Sequence, residues 1–178
     1  MPYSYTPIGC QSVINQPLSP LTAMPSLNLP DCNLHIIVRN GRRYVFDVVR
    51  RRYVAFTPEE EIRQRFVRFL NSQRGYPLAL MANEVSLKVG NTQKRCDTVV
   101  YGRDLTPLMI VEYKAPSVEL TQAVFRQIGR YNIALRVGYL TVSNGLRHVC
   151  CRLNYESGTS EFCDIPTYDE LTARRPTV

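Results

Sequence analysis

Two acidic residues and one lysine are spaced so that a β-hairpin would bring them together. The hairpin strands are predicted at residues 95–101 and 108–114, with Tyr101 paired to Leu108 and the turn closed around Asp104-Leu105. In this register Asp97 lies opposite Glu112, and directly opposed residues place their side chains on one face of the sheet. Lys114 shares that face because it lies two residues beyond Glu112.

Two carboxylates in opposed positions repel each other, and a divalent cation between them would remove the repulsion. Mg²⁺ prefers oxygen ligands and commonly takes one or two carboxylates together with water and substrate phosphate. A lysine beside such a site can hold the attacking water or balance charge at the scissile phosphate. The spacing therefore predicts metal-assisted phosphodiester hydrolysis. The alternative is structural, with Lys114 neutralising one acid in a salt bridge on a solvated face.

A helix that precedes the hairpin has a strong N-terminal signal. Thr57 can cap the helix, Pro58 suits its first position, and three acidic residues follow where the helix dipole is positive. The apolar residues that then recur at helical spacing are Ile62, Phe66, Phe69 and Leu70. The helix is expected to end before Gly75.

The remaining pattern predicts an α/β or α+β domain with a mixed central sheet flanked by helices. Further strands are predicted at residues 80–89, 138–142 and 147–153, and a short helix at residues 167–173. A second long helix is predicted at residues 121–135. Its buried stripe consists of Val124, Ile128, Tyr131 and Leu135. The order helix, three strands, helix, strand, strand is typical of such a domain.

The chain of 178 residues divides into an N-terminal arm and one domain of ordinary size. Residues 1–33 contain six prolines and a single charged residue, Asp31. Proline at this density blocks helix interiors and sheet ladders. We therefore expect an extended or disordered arm over residues 1–33 and a single domain over residues 34–178.

The charge pattern favours a polyanionic partner. The net charge is +7, and arginines cluster around a hairpin predicted at the turn dipeptide Asn40-Gly41. The candidate phosphate-contacting residues are Arg42, Arg43, Arg50, Arg51 and Arg52. The alternative is a solvated edge whose charges discourage strand pairing.

Several classes of protein do not fit the sequence. No apolar run is long enough for a membrane span, no secretory signal is visible at the N-terminus, and no GxxxxGK[ST] loop is present to bind ATP. The six cysteines lack the paired spacing of a zinc ribbon, and His148 with Cys150 gives only one pair on a strand face. We expect a cytoplasmic protein with no membrane partner.

The hairpin residues resemble the PD-(D/E)xK nuclease superfamily. Asp97, a gap of fourteen residues and then Glu112-Tyr113-Lys114 match its D…(D/E)xK pattern, with Cys96 in place of the first motif residue. Other matching segments, in family order, are residues 57–60, 63–64, 75–77, 94–101, 111–116, 127–132 and 143–145. Together they resemble the N-terminal nuclease domain of type I restriction enzyme R subunits over about residues 46–166.

This resemblance implies a restriction-endonuclease-like core and a metal site. Asp97 and Glu112 would bind Mg²⁺, for which Mn²⁺ could substitute, and the backbone carbonyl of Tyr113 would be a further ligand. Lys114 would orient the attacking water.

The resemblance also implies supporting residues around the metal. An acid on the first helix would assist, with Glu60 the better match to the family spacing and Glu59 the alternative. Gln127 and Tyr131 resemble a QxxxY element, and Tyr131 would also lie where nucleic acid binds, although it could simply pack in the core. Glu84 is a further acid near the site, or else a solvated strand residue.

The implied function is a Mg²⁺-dependent DNA endonuclease related to restriction–modification. In the R subunit this domain precedes a helicase motor, for which this chain has no sequence. The expected partners are DNA, a protein that supplies a motor or specificity, and a second copy in a homodimer. The alternative is a catalytically silent module of the same fold that binds nucleic acid or protein.

Overall fold

The computed structural model describes residues 26–173, so residues 1–25 of the expected arm lie outside the described residues, as do residues 174–178. Residues 26–33 contain no helix or strand. The backbone amide of Asn28 donates to the carbonyl of Gly145 at 2.7 Å, and its carbonyl oxygen lies 2.6 Å from His148 Nε2. This stretch therefore lies against the domain that follows it.

Two β-sheets and three α-helices make up the described fold. In chain order the elements are β1 (Ile36–Arg39), β2 (Arg42–Asp47), β3 (Arg52–Ala55), α1 (Pro58–Arg74), a 3-10 turn (Leu78–Leu80), β4 (Met81–Val89), β5 (Thr92–Tyr101), β6 (Pro107–Tyr113), α2 (Gln122–Leu135), β7 (Tyr139–Ser143), β8 (His148–Asn154), β9 (Thr159–Cys163) and α3 (Tyr168–Ala173). The small sheet has the order β1-β2-β3, and the large sheet has the order β4-β5-β6-β7-β8-β9. Since β6 and β7 pair in parallel and their neighbours are antiparallel, the large sheet is mixed, which confirms the predicted fold class.

Helix α1 follows its sequence signals closely. The hydroxyl of Thr57 accepts a hydrogen bond from the Glu60 amide at 3.1 Å and caps the helix. Gly75 ends the helix at φ 74°, a left-handed conformation that glycine adopts without steric cost. The predicted stripe is confirmed because Phe66 and Leu70 are fully buried, while Phe69 packs at the edge of the core.

The large sheet has a hydrophobic core on each side. On one side α1 and α3 pack against residues such as Tyr113 and Met109. On the other side Ile128 of α2 packs against Ile110 and Val142. Within residues 26–173 no helix is both long and apolar enough to cross a bilayer.

The predicted β5–β6 hairpin forms with a shifted end. The pairs from Thr98–Val111 to Val100–Met109 have the predicted register, but Tyr101 pairs with Pro107 instead of Leu108. The predicted pairing of Tyr101 is therefore wrong. The register shifts between Val100 and Tyr101, so the loop that closes the hairpin, residues 102–106, is one residue shorter than predicted. Within this loop the Gly102 amide donates to the Thr106 carbonyl at 2.8 Å, and the Thr106 hydroxyl donates to the Asp104 carboxylate at 2.7 Å.

The sequence does not predict strands β3 and β9. Both are edge strands, and β9 is largely exposed and polar, so neither has the apolar alternation that marks a half-buried strand. Each is held in a sheet by its neighbour, β2 for β3 and β8 for β9.

Candidate active site

The Asp97 carboxylate lies where β5 and β6 stop pairing. The ladder ends at the Thr98–Val111 pair. Beyond it, Asp97 Oδ2 accepts a hydrogen bond from the backbone amide of Tyr113 at 2.8 Å, so a side chain replaces the next backbone partner. Its Oδ1 accepts a hydrogen bond from Arg63 Nη2 at 3.0 Å. Asp97 is thereby fixed beside the end of β6.

Glu112 lies buried beside Lys114 and Gln127. Its Oε1 accepts hydrogen bonds from Lys114 Nζ at 2.8 Å and from Gln127 Nε2 at 3.1 Å. Gln127 also contacts Lys114 Nζ at 3.4 Å and donates to the Tyr131 hydroxyl at 3.2 Å. Four residues predicted from the sequence are thus brought together from β6, the segment after it and α2. The second oxygen of Glu112, Oε2, is buried and has no hydrogen-bond partner.

The pKa values of Asp97 and Glu112 are both raised. Burial raises the pKa of Glu112 to about 7, and the nearby charge of Asp97 adds to the shift, while Lys114 opposes it. Burial also raises the pKa of Asp97, against the hydrogen bond from Tyr113 and the charge of Arg63. Both negative charges are therefore costly in this environment, and a bound cation would stabilise them.

The acid that α1 contributes to this cluster is Glu60. Glu60 is 7% exposed, and its carboxylate bonds to Arg63 at 2.7 Å and to Gln64 Nε2 at 2.9 Å. Glu59 is exposed on the helix surface. The difference follows from helix geometry, since adjacent residues point about 100° apart around the axis.

Arg63 is a central residue of the site whose role was not predicted from the sequence. Its buried guanidinium joins three carboxylates, those of Glu60 at 2.7 Å, Glu84 at 2.6 Å and Asp97 at 3.0 Å. Burial lowers the pKa of Arg63, but these three charges outweigh the burial and raise it. The sequence did contain a signal for this role, because Arg63 follows Ile62 on the apolar face of a predicted helix. A basic residue in that position needs a buried anionic partner.

Glu84 reaches the cluster through a break in β4. Its φ is +61°, a left-handed conformation that residues with a side chain rarely adopt. The β4–β5 ladder skips Glu84, although Asn83 and Val85 on either side are paired. Its carboxylate bonds to Arg63 at 2.6 Å and to Arg95. The structure therefore places Glu84 in the site, a position that the sequence left open.

Asp47 anchors the small sheet to the site and was not predicted. It is fully buried and accepts hydrogen bonds from the Arg50 amide at 2.9 Å and from Asn83 Nδ2 at 3.0 Å. The Arg50 side chain bonds both to Asp47 and, at 3.1 Å, to Glu60. Burial acts to raise the pKa of Asp47, but the hydrogen bonds from Arg50 and Asn83 outweigh it and the pKa is lowered.

Replacing Asp47 by alanine is expected to lower the free energy of unfolding by about 3–5 kcal/mol, because Arg50 would be left without one of its two anionic partners in a largely buried position. Urea unfolding of the two proteins measures the difference. The exposed residue Asp169, replaced by alanine, is the control and should change stability by less than about 0.5 kcal/mol. Equal effects of the two substitutions would contradict the anchoring role.

Most of the arginines that were predicted to contact nucleic acid are exposed on or next to the small sheet. These exposed residues are Arg42, Arg43, Arg51 and Arg52. Arg43 lies over the ring of Phe56, with its guanidinium carbon 4.6 Å from the ring centroid. Arg50 differs, because two carboxylates hold its guanidinium. Contact with phosphate stays a prediction for all five.

Asp97 and Glu112 fit a divalent cation. Among residues 26–173 no three His, Cys, Asp or Glu side chains are grouped so that they could hold a metal ion by themselves. Mg²⁺ does not need such a group, since it takes one or two carboxylates and keeps several waters. The unpartnered Glu112 Oε2 supports the fit, because a buried carboxylate oxygen without a donor is destabilising. The Tyr113 carbonyl remains a predicted further ligand.

Comparison with known proteins finds one similar solved structure and one matching sequence family. One solved structure with a similar chain is a fragment assigned as an HsdR subunit of a type I restriction enzyme from Vibrio vulnificus YJ016. The two share 21% sequence identity with a TM-score of 0.49, and the match covers 66% of this chain and 25% of the other. This chain thus matches about a quarter of that protein's length. No curated protein matches this chain.

The sequence model of the type I restriction enzyme R protein N terminus (HSDR_N) matches residues 58–166, more than half of the chain. The matched region begins at the first residue of α1 and extends past β9. It therefore includes α1, β4, β5, β6 and α2, the five elements that supply clustered residues of the candidate active site. The chain belongs to the family of type I restriction enzyme R protein N-terminal domains.

Proposed function

We propose that this domain is a Mg²⁺-dependent DNA endonuclease of the PD-(D/E)xK type that acts in restriction–modification. The observation that carries the proposal is the convergence of Asp97, Glu112, Lys114 and Gln127, with one oxygen of Glu112 buried and unpartnered. Membership of the R protein family agrees with a role in restriction.

Asp97, Glu112 and the Tyr113 carbonyl are the residues that would hold the metal. Bound there, Mg²⁺ would supply charge stabilisation at the phosphate and would lower the pKa of a water molecule. Mn²⁺, which also accepts oxygen ligands, is expected to substitute for it.

The side chains of this domain would position the reactants. The Lys114 side chain is 20% exposed. Its Nζ would hold the attacking water and would balance the negative charge that develops on the phosphate. Gln127 contacts both Glu112 and Lys114, so it would keep their relative orientation. Glu60 would act more remotely, through its ion pair with Arg63.

The substrate class proposed is DNA, with the exposed arginines of the small sheet contacting backbone phosphates. Such contacts position the duplex without reading its sequence. A protein partner that supplies a motor or sequence specificity, and self-association as a homodimer, belong to the same proposal.

DNA binding is expected to weaken with salt, because phosphate contacts release counterions. Replacing Arg51 and Arg52 together by alanine should reduce the slope of log affinity against log salt by about 2, at roughly 0.9 for each lost contact. Fluorescence anisotropy with a labelled duplex measures both slopes. Arg103→Ala, in the exposed β5–β6 loop, is the control and should leave the slope nearly unchanged. A wild-type curve that is flat across the salt range would contradict phosphate contact.

A second candidate function is a binding module without catalysis. The observation that favours it is charge compensation, since Lys114 pairs with Glu112 and Arg63 pairs with Asp97. In that case DNA would bind and remain intact.

A cleavage assay on plasmid and linear DNA separates the two functions. With Mg²⁺ or Mn²⁺ present, the nuclease proposal predicts nicked and linear products that EDTA prevents. Binding without cleavage under all metal conditions would favour the binding module instead.

A further inference from the structure

Two cysteines lie directly opposite each other on neighbouring antiparallel strands, outside the candidate active site. Cys150 of β8 pairs with Cys163 of β9, and their Sγ atoms are 3.9 Å apart. Both thiols are free. Cys150 is buried in the core that α1 and α3 share with the sheet, and Cys163 packs at the edge of that core. The two sulfur atoms are therefore in contact without being bonded.

The backbone geometry at this pair suits a disulfide. Opposed residues on antiparallel strands have Cα atoms about 4.5–5.5 Å apart, and disulfides join Cα atoms that are about 4.4–6.8 Å apart. An S–S bond is about 2.0 Å long, so rotation of the two side chains must bring the sulfur atoms closer by about 2 Å. The strand pairing itself can stay unchanged.

Cys151 provides a contrast on the same strand. It lies opposite Phe162, and successive side chains of a strand point to opposite faces of the sheet. Cys151 thus faces away from the pair, although it directly follows Cys150 in the chain. The geometry therefore favours a bond between Cys150 and Cys163 over any bond that includes Cys151.

A cavity gives a small oxidant access to both thiols of the pair. It has a volume of about 500 Å³ and lies between residues 27–30, the end of α1 and strands β8 and β9. Its lining includes both cysteines, together with Phe69, Arg74 and His148. Hydrogen peroxide is little larger than water, which takes about 30 Å³ in the liquid. The cavity can therefore admit it.

We propose that Cys150 and Cys163 are a reversible redox pair, a modification site at which a small peroxide forms a cross-strand disulfide. Cys163 reacts first because it is the more exposed of the two. Burial raises the pKa of Cys150 to about 12, so Cys150 stays a thiol until the second step. In a reducing compartment such bonds are usually transient and redox-sensing.

Two steps close the bond and consume one molecule of hydrogen peroxide. The Cys163 thiolate attacks one peroxide oxygen, so that an S–O bond forms, the O–O bond breaks and hydroxide leaves with the proton that the thiol had released. The Cys150 sulfur then attacks the sulfenic sulfur. The S–S bond forms, the S–O bond breaks, and the leaving hydroxide takes the Cys150 proton. The two thiols lose two electrons, which reduce the peroxide to two molecules of water.

Peptide mapping after oxidation tests the proposal. The folded full chain is treated with a small excess of hydrogen peroxide, alkylated in denaturant and digested with trypsin. The expected product is a disulfide between residues 148–152 and residues 153–174, the tryptic peptides that contain the pair, with the mass of two hydrogen atoms lost. The number of alkylated thiols should fall by two, from six to four, and dithiothreitol should restore it.

Variants of single cysteines assign the bond. Cys163→Ala should abolish it. Cys151→Ala is the matched control, because it removes a thiol of β8 that faces away from the pair, and it should form the bond to the same extent as wild type. If Cys163→Ala does not fold, Cys150→Ala serves the same purpose.

Each outcome decides the proposal. A bond that forms in wild type and in Cys151→Ala, and not in the variants that lack one member of the pair, would support it. Sulfinic or sulfonic acid at Cys163 without a cross-link would overturn it, as would a disulfide to any other cysteine or six alkylated thiols after the treatment. Since no metal ion or DNA enters the assay, none of these outcomes bears on the proposed nuclease function.

Discussion

Replacing Lys114 by alanine is expected to reduce Mg²⁺-dependent DNA cleavage by about 10²- to 10³-fold, the range lost when a positioned donor that stabilises developing charge is removed. Lys114 Nζ bonds to Glu112 Oε1 at 2.8 Å and lies 3.4 Å from Gln127 Oε1, so it is held at the site by two partners. The methyl side chain of alanine can neither hold a water molecule nor balance charge at the phosphate. Gel assays of plasmid and linear DNA under single-turnover conditions measure the loss.

DNA affinity, measured beside cleavage, identifies the cause of that loss. Lys114→Ala should bind DNA nearly as well as wild type, because its role is at the reacting phosphate and the side chain is largely enclosed. Lys94→Ala is the matched control, since Lys94 is an exposed lysine of β5 and its loss should leave cleavage within a few-fold of wild type. Equal cleavage by the wild type and Lys114→Ala would exclude the assigned role.

Replacing Asp97 by asparagine is expected to abolish measurable Ca²⁺ or Mn²⁺ binding. The substitution preserves the shape of the side chain and removes one of the two negative charges that attract the ion. Its amide nitrogen also cannot accept one of the two hydrogen bonds that Asp97 accepts from Arg63 and Tyr113. Calorimetric titration is the measurement, and Asp169→Asn on the exposed surface of α3 is the control. Identical traces for wild type and Asp97→Asn would instead support a salt-bridged structural hairpin.

Metal affinity should depend on pH through Glu112. Because its pKa is raised to about 7 from an ordinary value of 4.5, a proton competes with the ion below pH 7, and the affinity should fall about tenfold for each pH unit there. The stability of the ion-free protein should change with pH in the opposite direction, falling as the pH rises. A raised carboxyl pKa contributes stability at low pH that is lost as pH rises from about 4.5 to 7. Melting temperatures in EDTA and in Ca²⁺ across this range measure both trends.

Local signals in the sequence were sufficient for most of the fold. The capping hydroxyl of Thr57, the left-handed Gly75 and the stripe through Ile128 are properties of a few neighbouring residues, and they predict α1 and α2 nearly to their ends. The hairpin register was correct over three pairs and failed at Tyr101. The failure came from a shift of the ladder between Val100 and Tyr101, a local irregularity that strand periodicity cannot reveal.

The candidate site was predicted where its residues lie close in sequence or follow a helix period. Glu112 and Lys114 share one strand end, and Gln127 and Tyr131 lie one helical turn apart. For each of these the local geometry alone fixes a common face. Placing Gln127 against Glu112 needed the family resemblance, because nothing local joins α2 to β6.

Arg63, Glu84 and Asp47 show what sequence by itself leaves undetermined. Their roles depend on charge pairs between separate elements, such as the 3.0 Å contact of Arg63 with Asp97 and the 3.2 Å contact of Asn83 with one oxygen of Asp47. A sequence records which residues are charged and which helix face is apolar. It does not record which buried charge meets which, because a buried charge takes its partner from whatever element packing brings within reach.

The sequence by itself therefore determined the helices, the main strands, the α+β class and the family of this protein, since propensity, period and motif order are carried along the chain. Only the tertiary structure decided which acid of α1 enters the site, that Glu84 breaks its strand to join it, and that Arg63 binds three carboxylates at once. Each of these features depends on which charged side chains meet when the helices and strands pack together. They are settled by the high cost of leaving a buried charge unpaired, which acts only after the elements have come together.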